Sequence, residues 1–136
     1  MKPYRFRKMV LCGSVIYLLC IIISVAMRIY VKTGFAIDIM FVFRTVFCMV
    51  LAFAVFGKTF VEKDLYLNTS ISSKGHALFI AIGIATILLW IGNTCMIVVE
   101  TYMLDTDAIG SVCGMLATMI MVNVASNTLK KYQLSN

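Results

Sequence analysis

Four stretches of this chain are long and apolar enough to cross a lipid bilayer, and they constrain its fold more than any other feature: residues 9–27, 36–57, 77–99 and 108–129. A helix rises about 1.5 Å per residue, so about 20 apolar residues cover the roughly 30 Å of hydrocarbon. The first, third and fourth stretches carry no charged residue, and the second carries only Asp38 and Arg44. In lipid every backbone N–H and C=O must be satisfied within its own segment, which makes each stretch a helix. With 62% hydrophobic and 13% charged residues, the chain is too apolar for a water-soluble domain. The expected fold is all-α, a polytopic four-transmembrane-helix bundle forming a single integral membrane domain over residues 1–136. Ser24-Val25-Ala26 has the small-x-small pattern of a signal-peptide cleavage site behind a basic segment, but the apolar run is longer than a usual signal core. It reads as the first spanning helix.

Lysine and arginine resist translocation, so their distribution sets orientation. Nine of them, Lys2, Arg5, Arg7, Lys8, Lys58, Lys63, Lys74, Lys130 and Lys131, fall on one side, against only Arg28 and Lys32 on the other. The last loop on that second side, Glu100 to Asp107, is acidic. Both termini are therefore expected in the cytoplasm, with the chain multi-pass in a cell inner membrane. The net charge of +6 follows from this topology, and no nucleic-acid partner is expected. The five cysteines, Cys12, Cys20, Cys48, Cys95 and Cys113, form no CxxC and read as reduced packing residues.

The loop 58–76 is the only sizeable polar stretch. Phe60, Val61, Leu65, Tyr66 and Leu67 make its first half amphipathic, suited to continue the second helix along the membrane surface. Its second half, from Asn68 to Gly75, is rich in turn formers and reads as mobile. The Asn68-Thr69-Ser70 sequon has no bearing in a cytoplasmic loop.

Helices associate in lipid through close packing of small residues and through polar side chains that need partners. In the fourth helix Gly110, Gly114, Ala117, Thr118, Met121 and Ala125 share one face, read mainly as intramolecular packing with self-association as the alternative; Asn123 and Asn127 lie on another. In the third, Ala77, Ala81, Ala85 and Gly92 make a small-residue face, while Thr86, Asn93 and Glu100 form a polar line at seven-residue spacing. That line is either a hydrogen-bonded seam or a lined pathway. Trp90 reads as a packing or lipid-facing residue.

Arg44 stands out, because a cation at the centre of a span costs at least roughly 2.5 kcal/mol unless paired or hydrated. Asn93 is expected at a similar depth, Glu100 is a longer-range partner if Arg44 reaches outward, and Asp38, six residues away, is poorly placed for direct pairing. Arg44, Asp38, Thr86, Asn93 and Glu100 together make the candidate intramembrane polar site, either fastening the bundle or attracting an anion.

Enzyme chemistry has little to work with. His76 is the sole histidine, and there is no HExxH, GxSxG, phosphate-binding loop or dinucleotide fingerprint. No catalytic group, metal or cofactor is expected. Pro3 is the only proline, which argues against the broken helices many transporters use.

Phe53-Ala54-Val55-Phe56-Gly57-Lys58-Thr59-Phe60 and the stretch from Asn123 to Tyr132 (NVASNTLKKY) resemble the ends of the second and fourth helices in the GtrA-like family. Those are small four-helix proteins proposed to flip polyprenyl-linked sugars in O-antigen glucosylation. The first helix departs from that pattern, with Val15-Ile16 after Gly13 where the family places a polar Asn-Thr pair. No site is carried over.

Two functions are left in contest. One is a non-catalytic accessory, immunity or exclusion protein that binds another integral membrane protein through its helix faces. The other is transport, as an oligomeric ion channel or a flippase of polyprenyl-linked sugar.

Overall fold

A computed structural model describes residues 1–31, 39–103 and 109–134, with side chains for all of these except 28, 31, 39–41, 100–103 and 109–111. Five helices follow in order: α1 (Pro3–Val31), α2 (Ile39–Val61), α3 (Lys63–Asn68), α4 (Ser73–Met103) and α5 (Ile109–Lys131). Four of them, α1, α2, α4 and α5, are long and apolar enough to cross a membrane. The spanning helices are longer than the apolar runs alone indicate. Proline suits the first helical position, where its missing N–H is not needed, so α1 starts at Pro3 and takes Arg5, Arg7 and Lys8 into its first turns.

The four long helices form a square. α1 packs against α2 and α4, α5 packs against the same two, and among the described residues the backbones of the diagonal pairs α1/α5 and α2/α4 do not approach closely. Phe6 meets Phe79 and Tyr17 meets Trp90, so α1 and α4 run in the same direction. Gly75 lies against Tyr132, and Gly114 against Asn93, so α4 and α5 are antiparallel. The start of α1 and the end of α5 both lie at the α3 end of the bundle.

Each helix buries a narrow stripe. On α4 it is Phe79, Gly83, Thr86, Trp90, Asn93 and Ile97, alternating steps of three and four residues. On α1 it is Phe6, Val10, Ser14, Tyr17 and Ile21. This is the spacing of left-handed helix bundles. Outward faces are equally apolar, with Ile22 and Ile23 on α1, Phe43 and Val50 on α2, Leu88 on α4 and Ile120 on α5 all exposed. Such a surface is stable only in hydrocarbon.

Two packing expectations change here. The small-residue line on α4 faces outward: Ala77, Ala81 and Gly92 are exposed and Ala85 is half-buried. The α1/α4 seam is filled instead by large side chains, Phe6, Tyr17, Phe79 and Trp90, with Gly13 and Gly83 making room for them. Of the cysteines, Cys48 is buried and Cys20 half-buried, but Cys12, Cys95 and Cys113 are exposed on the outer faces.

The loop 58–76 also departs from expectation. α2 runs on to Val61, breaks at Glu62, and α3 turns under the bundle to pack on α1, α2 and α5. Tyr66 sends its ring inward, stacked on Phe6 at 5.9 Å between centroids, so this amphipathic segment closes one end of the bundle. The turn-rich half is held in place. Ile71 and Gln133 form an antiparallel bridge, flanked by Ser72 N–H to Tyr132 O (3.1 Å) and Leu134 N–H to Ser70 O (2.8 Å). Ser72 then caps α4, its hydroxyl accepting from Gly75 N–H at 3.4 Å.

Candidate functional site

Interior hydroxyls mostly close on their own helices. Ser14, Thr59, Thr86, Thr118 and Thr128 each donate to the carbonyl four residues earlier, at 2.8–2.9 Å. This removes the need for a partner on another helix and lets a threonine sit in an apolar core. Thr86 and Thr118 are fully buried in this way.

Asn93 is the exception. It is buried on α4, its carbonyl oxygen is pressed against Gly114 of α5, and its Nδ2 has no hydrogen-bond partner. Gly114 and Ala117 are half-buried and Thr118 is buried, on the side of α5 that meets α4. Gly110 belongs to α5, but its surroundings fall outside the described side chains, as does the side chain of Glu100; Asp38 lies outside the described residues.

Arg44 is half-buried on α2 and engaged in an interaction. α2 extends to Val61, four residues past the apolar run, so Arg44 lies farther from the α3 end of its helix than that run indicates. Arg44 precedes Glu62 by 18 residues, roughly 27 Å along a helix, whereas Gly114 precedes Ser126 by 12, roughly 18 Å. Glu62 and Ser126 are bonded to each other, so Arg44 lies about 9 Å beyond the Asn93–Gly114 level, on the helix diagonal to α4. The structure therefore brings Asn93 to Gly114 and does not bring α2 to α4.

The Asn93–Gly114 contact makes a test. Gly114→Ala places a methyl on the Asn93 amide and is expected to destabilise the bundle, while in an Asn93→Ala background it should be tolerated. The double-mutant coupling should reach about 1–2 kcal/mol, read from thermal midpoints in detergent; strictly additive effects would contradict the contact. Gly114→Leu consequently probes packing within the chain before it probes any partner.

A second polar cluster, not anticipated from sequence, sits at the α3 end. Ser126 on α5 donates to Glu62 Oε2 at 2.5 Å, and since a serine has one proton, Tyr66 donates its own to Ser126 Oγ at 2.7 Å. Glu62 Oε1 faces Lys58 Nζ at 3.8 Å and Lys130 Nζ at 3.9 Å. Lys130 is well exposed and Lys58 partly so, which leaves the ion pairs weak and screened, and the short hydrogen bonds do the joining. Burial, opposed by the Ser126 bond and reinforced by the charge of Glu62, pushes the Tyr66 phenol from 10.0 up to about 12. The spacing Lys58-x3-Glu62-x3-Tyr66, one turn apart each time, was the signal available in sequence.

The third feature is an open notch of about 260 Å³ where α1 and α4 meet, lined by Gly13, Ile16, Trp90, Ile91, Thr94 and Cys95. Trp90 lies flat against Gly13, where any Cβ would be only 2.7 Å from the ring, and packs edge-on against Tyr17 at 5.5 Å. The indole N–H is buried without a partner. Trp90 is thus a packing residue and the floor of the notch.

Among the described residues, no group of three or more metal-binding side chains occurs. No known protein family, no characterised protein and no solved structure matches the chain. The resemblance to the GtrA-like family thus remains limited to the two short segments that carry it.

Proposed function

We propose that this chain is a non-catalytic membrane protein of the cell inner membrane, with both termini in the cytoplasm, that works by binding another integral membrane protein through its helix faces. The nine-to-two division of basic residues supports the orientation. The α1/α4 notch supports the binding. It lies within the apolar runs of both helices and is walled by Ile16, Ile91, Thr94 and Cys95. A knob from a partner helix fits such a notch, because helix association in lipid depends on close packing. The described interior, filled by Tyr17, Trp90, Met115 and self-bonded threonines, favours this reading over a conduit.

The test fills the notch. Thr94→Leu should leave the protein folded and reduce recovery of a stoichiometric foreign membrane protein, purified in mild detergent, by about tenfold, equivalent to roughly 1.4 kcal/mol. Undiminished recovery would contradict the proposal.

A second reading, transport by an oligomeric channel or a flippase of polyprenyl-linked sugar, draws on the unpaired Asn93 amide within the span. It requires Asn93→Leu to abolish flux through reconstituted protein that remains folded.

A further inference from the structure

We propose that α1 carries a binding site for an anionic phospholipid, with Arg7 holding the headgroup phosphate and the adjoining face of the helix holding an acyl chain. Arg7 stands one turn before Val10 and two before Ser14, both fully buried, so its stem starts close to the inner face and leaves it half-buried. Its Nε is buried with no hydrogen-bond partner, and among the described residues no carboxylate forms an ion pair with it. A guanidinium presents five donors in a planar fork, which suits phosphate oxygens.

Among the described residues, no acid is paired with Arg7. The first turn of α1 has no acidic residue, and Lys2, Arg5 and Lys8 beside it are exposed cations. Glu62, the half-buried acid at this end, is already occupied by Ser126, Lys58 and Lys130. The uncharged run of α1 begins at Met9, so Arg7 stands two residues, about 3 Å along the helix, outside it, at the depth of the headgroup boundary.

A trough selects a lipid over a free phosphate. One turn beyond Arg7, the outer face of α1 bears an apolar depression of about 360 Å³ lined by Leu11, Cys12, Val15 and Ile16. Arg7, Leu11 and Val15 are spaced four residues apart, so they line up along one side of the helix. A phosphate at Arg7 therefore continues into a chain lying past Leu11 and Val15, and Lys8 is placed to add a second cation from the water side.

The experiment uses the full chain in mild detergent, titrated with phosphatidylglycerol and with phosphatidylcholine of identical acyl chains, with bound lipid counted by native mass spectrometry. Phosphatidylglycerol should bind at least about fivefold more tightly, and Arg7→Gln should remove that preference, while Lys131→Gln on the non-adjacent α5 should keep it. Val15→Trp, which fills the trough, should weaken both lipids. Equal binding of the two lipids by the wild type overturns the proposal, as does a preference that survives Arg7→Gln or falls equally with Lys131→Gln. Should Arg7→Gln not fold, Arg7→Lys replaces it: a preference unchanged from wild type contradicts the fork, and a partial loss supports it. Displacement of phosphatidylglycerol by excess inorganic phosphate overturns the lipid in favour of a soluble anion. None of these outcomes depends on a protein partner at the α1/α4 notch.

Discussion

Gly13→Leu is expected to leave little folded protein. A Cβ at this position would sit 2.7 Å from Trp90 Cε2, 2.8 Å from Nε1 and 2.9 Å from Cδ2, closer than real contacts allow. The obstruction is an aromatic ring packed edge-on against Tyr17, not the movable end of a flexible side chain. Gly13→Ala alone should cost about 1–3 kcal/mol, the usual range for overpacking, and leucine more. Because the collision is with one ring, Trp90→Ala should restore part of the stability of Gly13→Leu. The check is the fraction of monodisperse protein after heating in detergent. Wild-type behaviour of Gly13→Leu would show that α1 and α4 do not meet at this seam.

Tyr66→Ala should have the second largest effect, about 3–5 kcal/mol, the range for truncating a buried aromatic residue. The ring is 1% exposed and stacks on Phe6, so its loss opens the contact by which α3 closes the bundle. Tyr66→Phe keeps the ring and removes only the bond to Ser126, and should cost about 1 kcal/mol. The phenol has a titration signature as well. Its folded pKa is raised, so the folded protein keeps a proton that the unfolded chain releases; this contribution is intact below pH 10.0 and is lost as pH rises through about 12. Ultraviolet titration of the chain, which has six tyrosines, should show a late step that disappears in Tyr66→Phe. A titration unchanged by that substitution would place Tyr66 in water.

The four spans were legible because length and lack of charge are read directly from residue order, and lipid leaves the backbone no alternative to helix. Facing was much less legible. In water a buried stripe differs in polarity from the exposed face, but here Ile22 on the outside and Ile21 on the inside are chemically alike. Reasoning from small residues therefore put Ala77 and Ala81 into a packing face, where the structure turns them outward and packs Phe79 and Trp90 instead. Polar residues were the better guide, since Thr86 and Asn93 do face the interior. The Glu62–Ser126–Tyr66 cluster was hidden for a different reason. It joins residues 60 and 64 positions apart, and only the turn of α3 beneath the bundle brings them together.

The proposed binding of a membrane protein partner can be tested most directly at Cys95, which is exposed on the rim of the α1/α4 notch. A variant keeping only this cysteine, with Cys12, Cys20, Cys48 and Cys113 changed to serine, would carry a photo-crosslinker in intact membranes. The expected result is one discrete adduct with a different membrane protein, lost when Thr94→Leu fills the notch and absent when Cys113 on α5 carries the label instead. Adducts with lipid alone, with a second copy of the chain, or equally from Cys113 would contradict it.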